Sequence, residues 1–308
     1  MILCCGEALI DMIPTPTQSG CDGFVPCSGG AVFNTSIALG RLGIQTGMLT
    51  GLSSDIFGQQ LRADLHASQV NTSQVILSDR PTTLAFVHLT DGNASYSFFD
   101  ENSAGRMIGP SDLKILPDEI TALYLGGISL ACEPSADAYA AFATAHHANR
   151  VVMLDPNIRP GFIRDIDRFR ARQMRLFSVA DIVKVSDEDL NWIFPGPEAL
   201  ASKVVRLREA GPSVILLTRG EEGATAFLRD GTQVSVPSRK VTVIDTVGAG
   251  DTFNAGFLAR LSELGTLSKA GLKSVLPETF EEALRFGADT AAITVSRAGA
   301  NPPWRHEL

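Results

Sequence analysis

Short, largely apolar runs separated by stretches with helical spacing constrain this chain more than any other feature. Ile2 to Cys5, Gly47 to Thr50, Ala122 to Leu125, Val151 to Leu154, Asp181 to Lys184 and Val214 to Leu217 lack the regular polar alternation of half-exposed strands. Strands of this kind are buried on both faces, the condition of a parallel sheet covered by helices. The intervening segments fit that arrangement, since Ala31 to Leu42, Phe57 to Ala67 and Ser135 to His147 place apolar side chains at helical intervals. The pattern predicts an α/β fold with a central, mainly parallel sheet flanked by helices.

Two stretches break the alternation. Ala8 to Cys27, and Thr83 to Ser97 with its turn-like Thr90-Asp91-Gly92-Asn93, read as β segments with no helix between strands. Together they predict a small sheet outside the main fold; a plain hairpin decoration is the other reading. A length of 308 residues suits one large domain, residues 1–308, with that appendage. The net charge of −8 and the lack of any Lys/Arg-rich run argue against a nucleic-acid partner. Five cysteines, Cys4, Cys5, Cys21, Cys27 and Cys132, show no C-x-x-C spacing and predict reduced thiols in a cytoplasmic protein. Met1 to Cys5 has no basic lead and reads as a buried strand rather than a signal peptide. No apolar stretch approaches the ~20 residues that span a bilayer.

One segment carries chemistry. Val241 to Ile244 reads as a strand, Phe253, Phe257, Leu258 and Leu261 recur at helical spacing, and Gly248-Ala249-Gly250-Asp251 joins them. The glycines therefore sit at a helix N-terminus, where N–H groups lack intrahelical partners and the helix dipole favours an anion. Asp251 places a carboxylate beside that phosphate site, although an ordinary N-cap would also use Asp. A dinucleotide fingerprint fits worse: Phe253 stands where its third glycine belongs, and Asp251 would repel a pyrophosphate. Amide dipoles next to a base suit phosphoryl transfer to a hydroxyl, with Gly248, Ala249 and Gly250 holding the developing charge and Asp251 taking the proton. The sequence has no G-x-x-x-x-G-K-[ST] loop and no H-R-D and D-F-G pair, which excludes the P-loop and protein-kinase machineries.

Asp245 to Gly256 resembles the C-terminal signature of the ribokinase-like (PfkB) sugar and nucleoside kinases. Ser28 to Gly43, with Gly29, Gly30 and Asn34, resembles their N-terminal Gly-Gly motif. Both stand in the family's order, and the resemblance runs from Gly6 to Ala298-Gly299-Ala300. It implies an ATP-dependent, magnesium-requiring kinase in which Asp251 is the base. It also implies a β lid, from about residues 8–27 and 83–106, that closes over the sugar and forms a homodimer contact.

The same resemblance implies roles for individual residues. Asp11, Gly29, Gly30 and Asn34 would contact the sugar. Asp155-Pro156-Asn157-Ile158-Arg159-Pro160 resembles the fructokinase and 2-keto-3-deoxygluconate kinase branches, where Asn157 and Arg159 would hold substrate or phosphate oxygens; a solvated turn is the alternative. Tyr96, Phe98, Phe99 and Arg106 resemble a fructokinase pattern of lid aromatics and a following Arg, with Gly105 in place of Asp.

On the donor side, Lys184, Ser186 and Asp189 occupy the place of an Asn-x-x-Glu motif tied to phosphate and Mg2+. Ser186 replaces its Asn, and the shorter Asp189 would reach the metal through water. Asp187 and Glu188 read equally well as helix-terminal charges. Thr218, Gly220 and Gly223 resemble the nucleotide-binding turn, with a hairpin into Ala224 to Leu228 as the alternative. Asn254 and the helix through Phe286, Gly287, Thr290 and Ala291 would flank adenine, and Asp245 matches a monovalent-cation position, K+ in character.

The expected activity is phosphorylation of a primary hydroxyl of a monosaccharide, fructose first. The alternatives are 2-keto-3-deoxygluconate, ribose or a nucleoside as acceptor. From different classes come a non-catalytic sugar- or nucleotide-binding regulator and a Rossmann dehydrogenase.

Overall fold

The apolar runs become strands that divide their side chains between two cores. β1 (Ile2–Cys5) is buried throughout; Ile2 and Cys4 enter one core, Leu3 and Cys5 the other. The computed structural model describes residues 1–90 and 93–308. After β1 come β2 (Leu9–Pro16), β3 (Asp22–Gly29), α1 (Ala31–Arg41), β4 (Thr46–Leu49), β5 (Gly51–Ser53) and α2 (Ile56–Ala67). β6 (Ile76–Ser78), β7 (Leu84–Thr90) and β8 (Asn93–Phe99) complete the first third.

The middle alternates strictly: β9 (Ala122–Gly126), α3 (Ser135–His146), β10 (Val151–Asp155), α4 (Ile166–Val179), β11 (Ile182–Ser186). Two helices, α5 (Asp187–Ile193) and α6 (Leu200–Glu209), lead to β12 (Val214–Thr218), β13 (Ala224–Leu228) and β14 (Gln233–Val236). The chain ends with α7 (Ala249–Glu263), α8 (Lys269–Ser274) and α9 (Pro277–Val295).

The large sheet has eight strands in the order β14-β13-β12-β11-β10-β9-β1-β4. It is parallel from β4 to β12 and antiparallel beyond. β14 alternates exposed and buried residues, as an edge strand does. α1, α7 and α9 cover one face with Phe33, Phe253, Phe257 and Leu284. Tyr139 of α3, Phe177 of α4 and Leu207 of α6 cover the other.

The second sheet runs β3-β2-β7-β8, with β2 parallel to β7. That long-range pairing makes it a true sheet rather than a hairpin decoration. Its register puts Asp11, Ala85 and Phe98 on one face, and Met12, Phe86 and Ser97 on the other. On the outer face Phe24, Phe86 and Phe99 meet edge to face, with centroids 5.0 and 5.5 Å apart. The turn expected at Asp91-Gly92 lies outside the described residues.

Val241 to Ile244 is not a strand. The run crosses the C-terminal end of α9, where Ile244 N and Asp245 N donate to Val295 O at 2.8 and 3.2 Å. Val243 and Ile244 are more than half exposed. β-branched composition marks a chain that fits a pleated, half-buried surface, and here no strand among the described residues pairs with it. No helix among the described residues is long and apolar enough to cross a membrane, and no cysteine is in a disulfide.

Candidate active site

The carboxyl ends of β1, β10 and β11, the N-terminal ends of α1 and α7, and the inner face of the small sheet enclose a cavity of about 770 Å³. Open parallel sheets bind ligands at this end of their strands.

α7 begins on Gly248, whose φ of 77° is left-handed. A side chain there would be strained, and its first carbon would lie 2.8 Å from Ala300 Cβ. The amide of Ala249 turns back to Thr246 O at 3.3 Å, so Ala249 lines the cavity but is a poorer donor than expected. Those of Gly250 and Asp251 open the helix.

Asp251 is 7% exposed, and its Oδ2 accepts a bond from Asn34 Nδ2 at 2.9 Å. Thr35 Oγ1 of α1 also donates to Asp251 O at 3.2 Å, so two helices distant in sequence are locked at the base. Burial lifts the Asp251 carboxyl to about 7; Asp155 and Glu7 add to the rise, while the Asn34 bond and Lys184 oppose it. A carboxylate with that proton affinity is suited to general-base work near neutral pH.

On the sheet side, Asp11 faces the cavity, and burial lifts its carboxyl to about 6. Gly29 does not line the cavity. Its role is space: a side-chain carbon there would lie 2.2 Å from Asp11 Oδ2. Gly30 lines the cavity as the N-cap of α1, with φ 105°. Phe98 packs against Phe162 at 4.2 Å between centroids, and Tyr96 stacks on Phe98 at 5.8 Å. Arg106 lines the cavity, but its NH1 pairs with Asp100 at 2.9 Å and its Nε donates to Glu133 O. Asn157, at φ 41°, and Arg159 also line it, which places the D-x-N-x-R turn in the site.

The donor-side residues divide. Lys184 lines the cavity and pairs with Asp155 Oδ2 at 3.1 Å. Burial works against its charge, yet Asp155, Asp189 and Asp251 together hold it above the ordinary lysine range. Ser186 caps α5, its hydroxyl accepting from Asp189 N at 3.0 Å. Asp189 accepts from Ser186 N and, at 2.9 Å, from Ile158 N. Each of its oxygens thus accepts from one backbone amide, which fixes the carboxylate between β10 and the start of α5. Thr218, Gly220 and Gly223 form the β12–β13 turn and do not line the cavity.

Asn254 is misplaced by the expectation of an adenine contact. It is fully buried, and its Nδ2 lies 2.7 Å from Asp155 Oδ2 and 3.0 Å from Tyr124 Oη. The carboxylate of Asp245 accepts from Val247 N and Gly299 N, tying the loop before α7 to the C-terminal tail.

Sequence reasoning missed Glu7 and Asp155 as site residues. Glu7 Oε1 accepts from Ala31 N at 3.1 Å and Oε2 from Ser129 N at 3.2 Å, joining the first turn of α1 to the turn that follows β9. Burial raises its carboxyl above the ordinary range. Both residues stand at the carboxyl ends of wholly buried parallel strands, a signal present in the sequence. Phe162 was also missed, and no local pattern marks it.

The chain matches the family described as pfkB family carbohydrate kinase over residues 1–307. It is 48% identical over 291 residues to a fructokinase of Rhizobium leguminosarum bv. trifolii, across 94% of this chain and 87% of that relative. Fructokinase from Xylella fastidiosa with bound ATP superposes with a TM-score of 0.88 at 28% identity, covering 97% of this chain and 93% of that one. A double mutant of Vibrio cholerae O395 fructokinase, bound to fructose, ADP and potassium, gives 0.84 at 26% identity with the same coverage. With both glycine motifs converging on one cavity and the match running through nearly every residue, this chain belongs to the pfkB family of carbohydrate kinases.

Proposed function

We propose that this carbohydrate kinase is a fructokinase, carrying the γ-phosphoryl group of ATP to a primary hydroxyl of fructose. The observation behind the reading is Asp251, buried at the start of α7, bonded to Asn34 and poised to take a proton near neutrality. As the hydroxyl oxygen bonds to the γ-phosphorus, the bond from that phosphorus to the β–γ bridging oxygen breaks. The hydroxyl proton goes to Asp251, and ADP leaves. The α7 amides stabilise the charge on the phosphoryl oxygens. Asn34 keeps the carboxylate aimed, and Asp11 accepts bonds from the sugar's other hydroxyls.

Fructose is favoured by the 48% identity to the Rhizobium fructokinase. Of the lining arginines, Arg106 and Arg164 are matched by Asp100 and Glu101, and Arg159, with no carboxylate partner among the described residues, is left for phosphate oxygens. Residues 1–308 act as one domain, with the small sheet as a lid that excludes water from the transferring group. The outer ladder of Phe24, Phe86 and Phe99 is the surface for a homodimer. Thr218, Gly220 and Gly223 lie on the nucleotide side. Magnesium would come with the phosphates of ATP, the loop that Asp245 ties to Gly299 would hold a potassium ion, and the protein would work in the cytoplasm.

A coupled ADP-release assay over fructose, ribose, 2-keto-3-deoxygluconate and adenosine tests the reading, run beside Asp251→Asn. Fructose should give the highest kcat/KM. Preference for another acceptor overturns the substrate, and undiminished turnover by the variant overturns the mechanism.

A further inference from the structure

Under the opening turn of α7 lies a buried pair of opposite charges. Lys184 is 5% exposed and Asp155 is 1% exposed. The ammonium stands 3.1 Å from Asp155 Oδ2 and 3.3 Å from where a side-chain carbon on Gly250 would be. It therefore lies beside the first turn of α7. Asp155 is fixed in turn by Asn254 Nδ2, which is shared with Tyr124 Oη. β9, β10, β11 and α7 thus each contribute one member.

For stability alone this is a poor arrangement. Buried charges carry a desolvation cost of several kcal/mol each even when paired, and an apolar replacement is often as stable. Asp155 Oδ1 and Asn254 Oδ1 are moreover buried without a hydrogen-bond partner. Such orphaned acceptors call for a reason beyond packing.

We propose that Lys184 is a catalytic residue of the transfer step and Asp155 its positioning residue: Asp155 holds the ammonium against Gly250, where negative charge builds on the transferring phosphoryl oxygens. This rests on the reading of Asp251 as base, and it goes beyond general contact with nucleotide. The bonds made and broken are those given above, and Lys184 keeps its protons throughout.

The pair also sets the charge around the base. Asn34 faces Asp251 from α1, Glu7 from the turn after β1, Tyr124 from β9, Asp155 from β10 and Lys184 from β11. Lys184 lowers the proton affinity of Asp251, while Asp155 and Glu7 raise it. Removing Lys184 or Asp155 must therefore move the base in opposite directions.

The test uses the full-length enzyme with Lys184→Met, Lys184→Arg and Asp155→Asn, measuring kcat, sugar KM and the pH profile of kcat/KM. Lys184→Met should lower kcat by about 10² or more with sugar KM within about threefold. Its acid limb should move up by about half a pH unit or more, and that of Asp155→Asn should move down. Lys184→Arg should recover about tenfold of the lost rate, because the charge is kept and its geometry is not. Lys184→Gln gives the same readout should the Met variant not fold. Turnover of Lys184→Met within about threefold of the parent, or acid limbs moving the same way, overturns the proposal. Asp251→Asn in the same series separates the failures: full activity there sinks the base assignment, whereas inactivity there beside an unimpaired Lys184→Met sinks this inference alone.

Discussion

The two walls of the cavity are built differently. On the helix wall, Asp251, Asn254, Asp155 and Lys184 are each less than a tenth exposed and are bonded to one another or to Asn34 and Tyr124. On the sheet wall, Tyr96 is 46% exposed, and Glu101 and Arg164, which join the end of β8 to the loop before α4, are 62% and 65% exposed at the side chain. Charge stabilisation in a transition state needs groups fixed beforehand in a dry setting. Admitting a sugar and then covering it needs contacts that separate easily, and exposed ion pairs, worth about 0–1 kcal/mol, are of that kind. One wall holds the reacting groups still, and the other opens.

The contrast breaks first at Asp251. Asp251→Asn should lower kcat by about 10² to 10⁴ while leaving KM for sugar within a few-fold. Steady-state kinetics at saturating ATP measures both. The same residue should mark the stability curve. Its folded value of about 7 stands above the unfolded value of 3.8. The native state therefore holds a proton that the unfolded chain gives up, so this group's contribution is full below the unfolded value and lost as pH rises through the folded one. The loss reaches at most about 4 kcal/mol. Thermal melting at about pH 4 and about pH 8 should show Asp251→Asn gaining on the parent at the higher pH; a constant difference would contradict it.

Smaller effects sharpen the sheet side. Gly29→Ala should push Asp11 aside and raise sugar KM by about tenfold, with kcat changed less, because the new carbon would stand 2.2 Å from the carboxylate. Arg164→Ala should change kcat/KM by less than about twofold. A larger loss would mean that the sheet wall is held as rigidly as the helix wall.

Much of this was legible because it is local or periodic. α1 was expected over 31–42 and spans Ala31–Arg41, since its apolar spacing and the preceding glycine mark both ends. The motif glycines pointed to the helix end beside Asp251, and Asn34 stood out as a polar residue on an apolar helix. The partners of these residues were not legible. Asn254 meets Tyr124 across 130 positions and Asp155 across 99, contacts that only the folded sheet creates. Asp189 shows the limit of motif reading, because its capping bond to Ser186 is local but its bond to Ile158 depends on how β10 lies beside β11. At Val241 to Ile244, composition resembled a strand, yet no strand among the described residues pairs with it.

The most direct test is the pH dependence of kcat/KM for fructose in the unmodified enzyme. The buried carboxyl of Asp251 predicts a rate that falls tenfold per pH unit below an apparent value of about 7. A profile that stays flat down to about pH 5, in protein still folded at that pH, would show that no such group has to lose its proton before the sugar reacts.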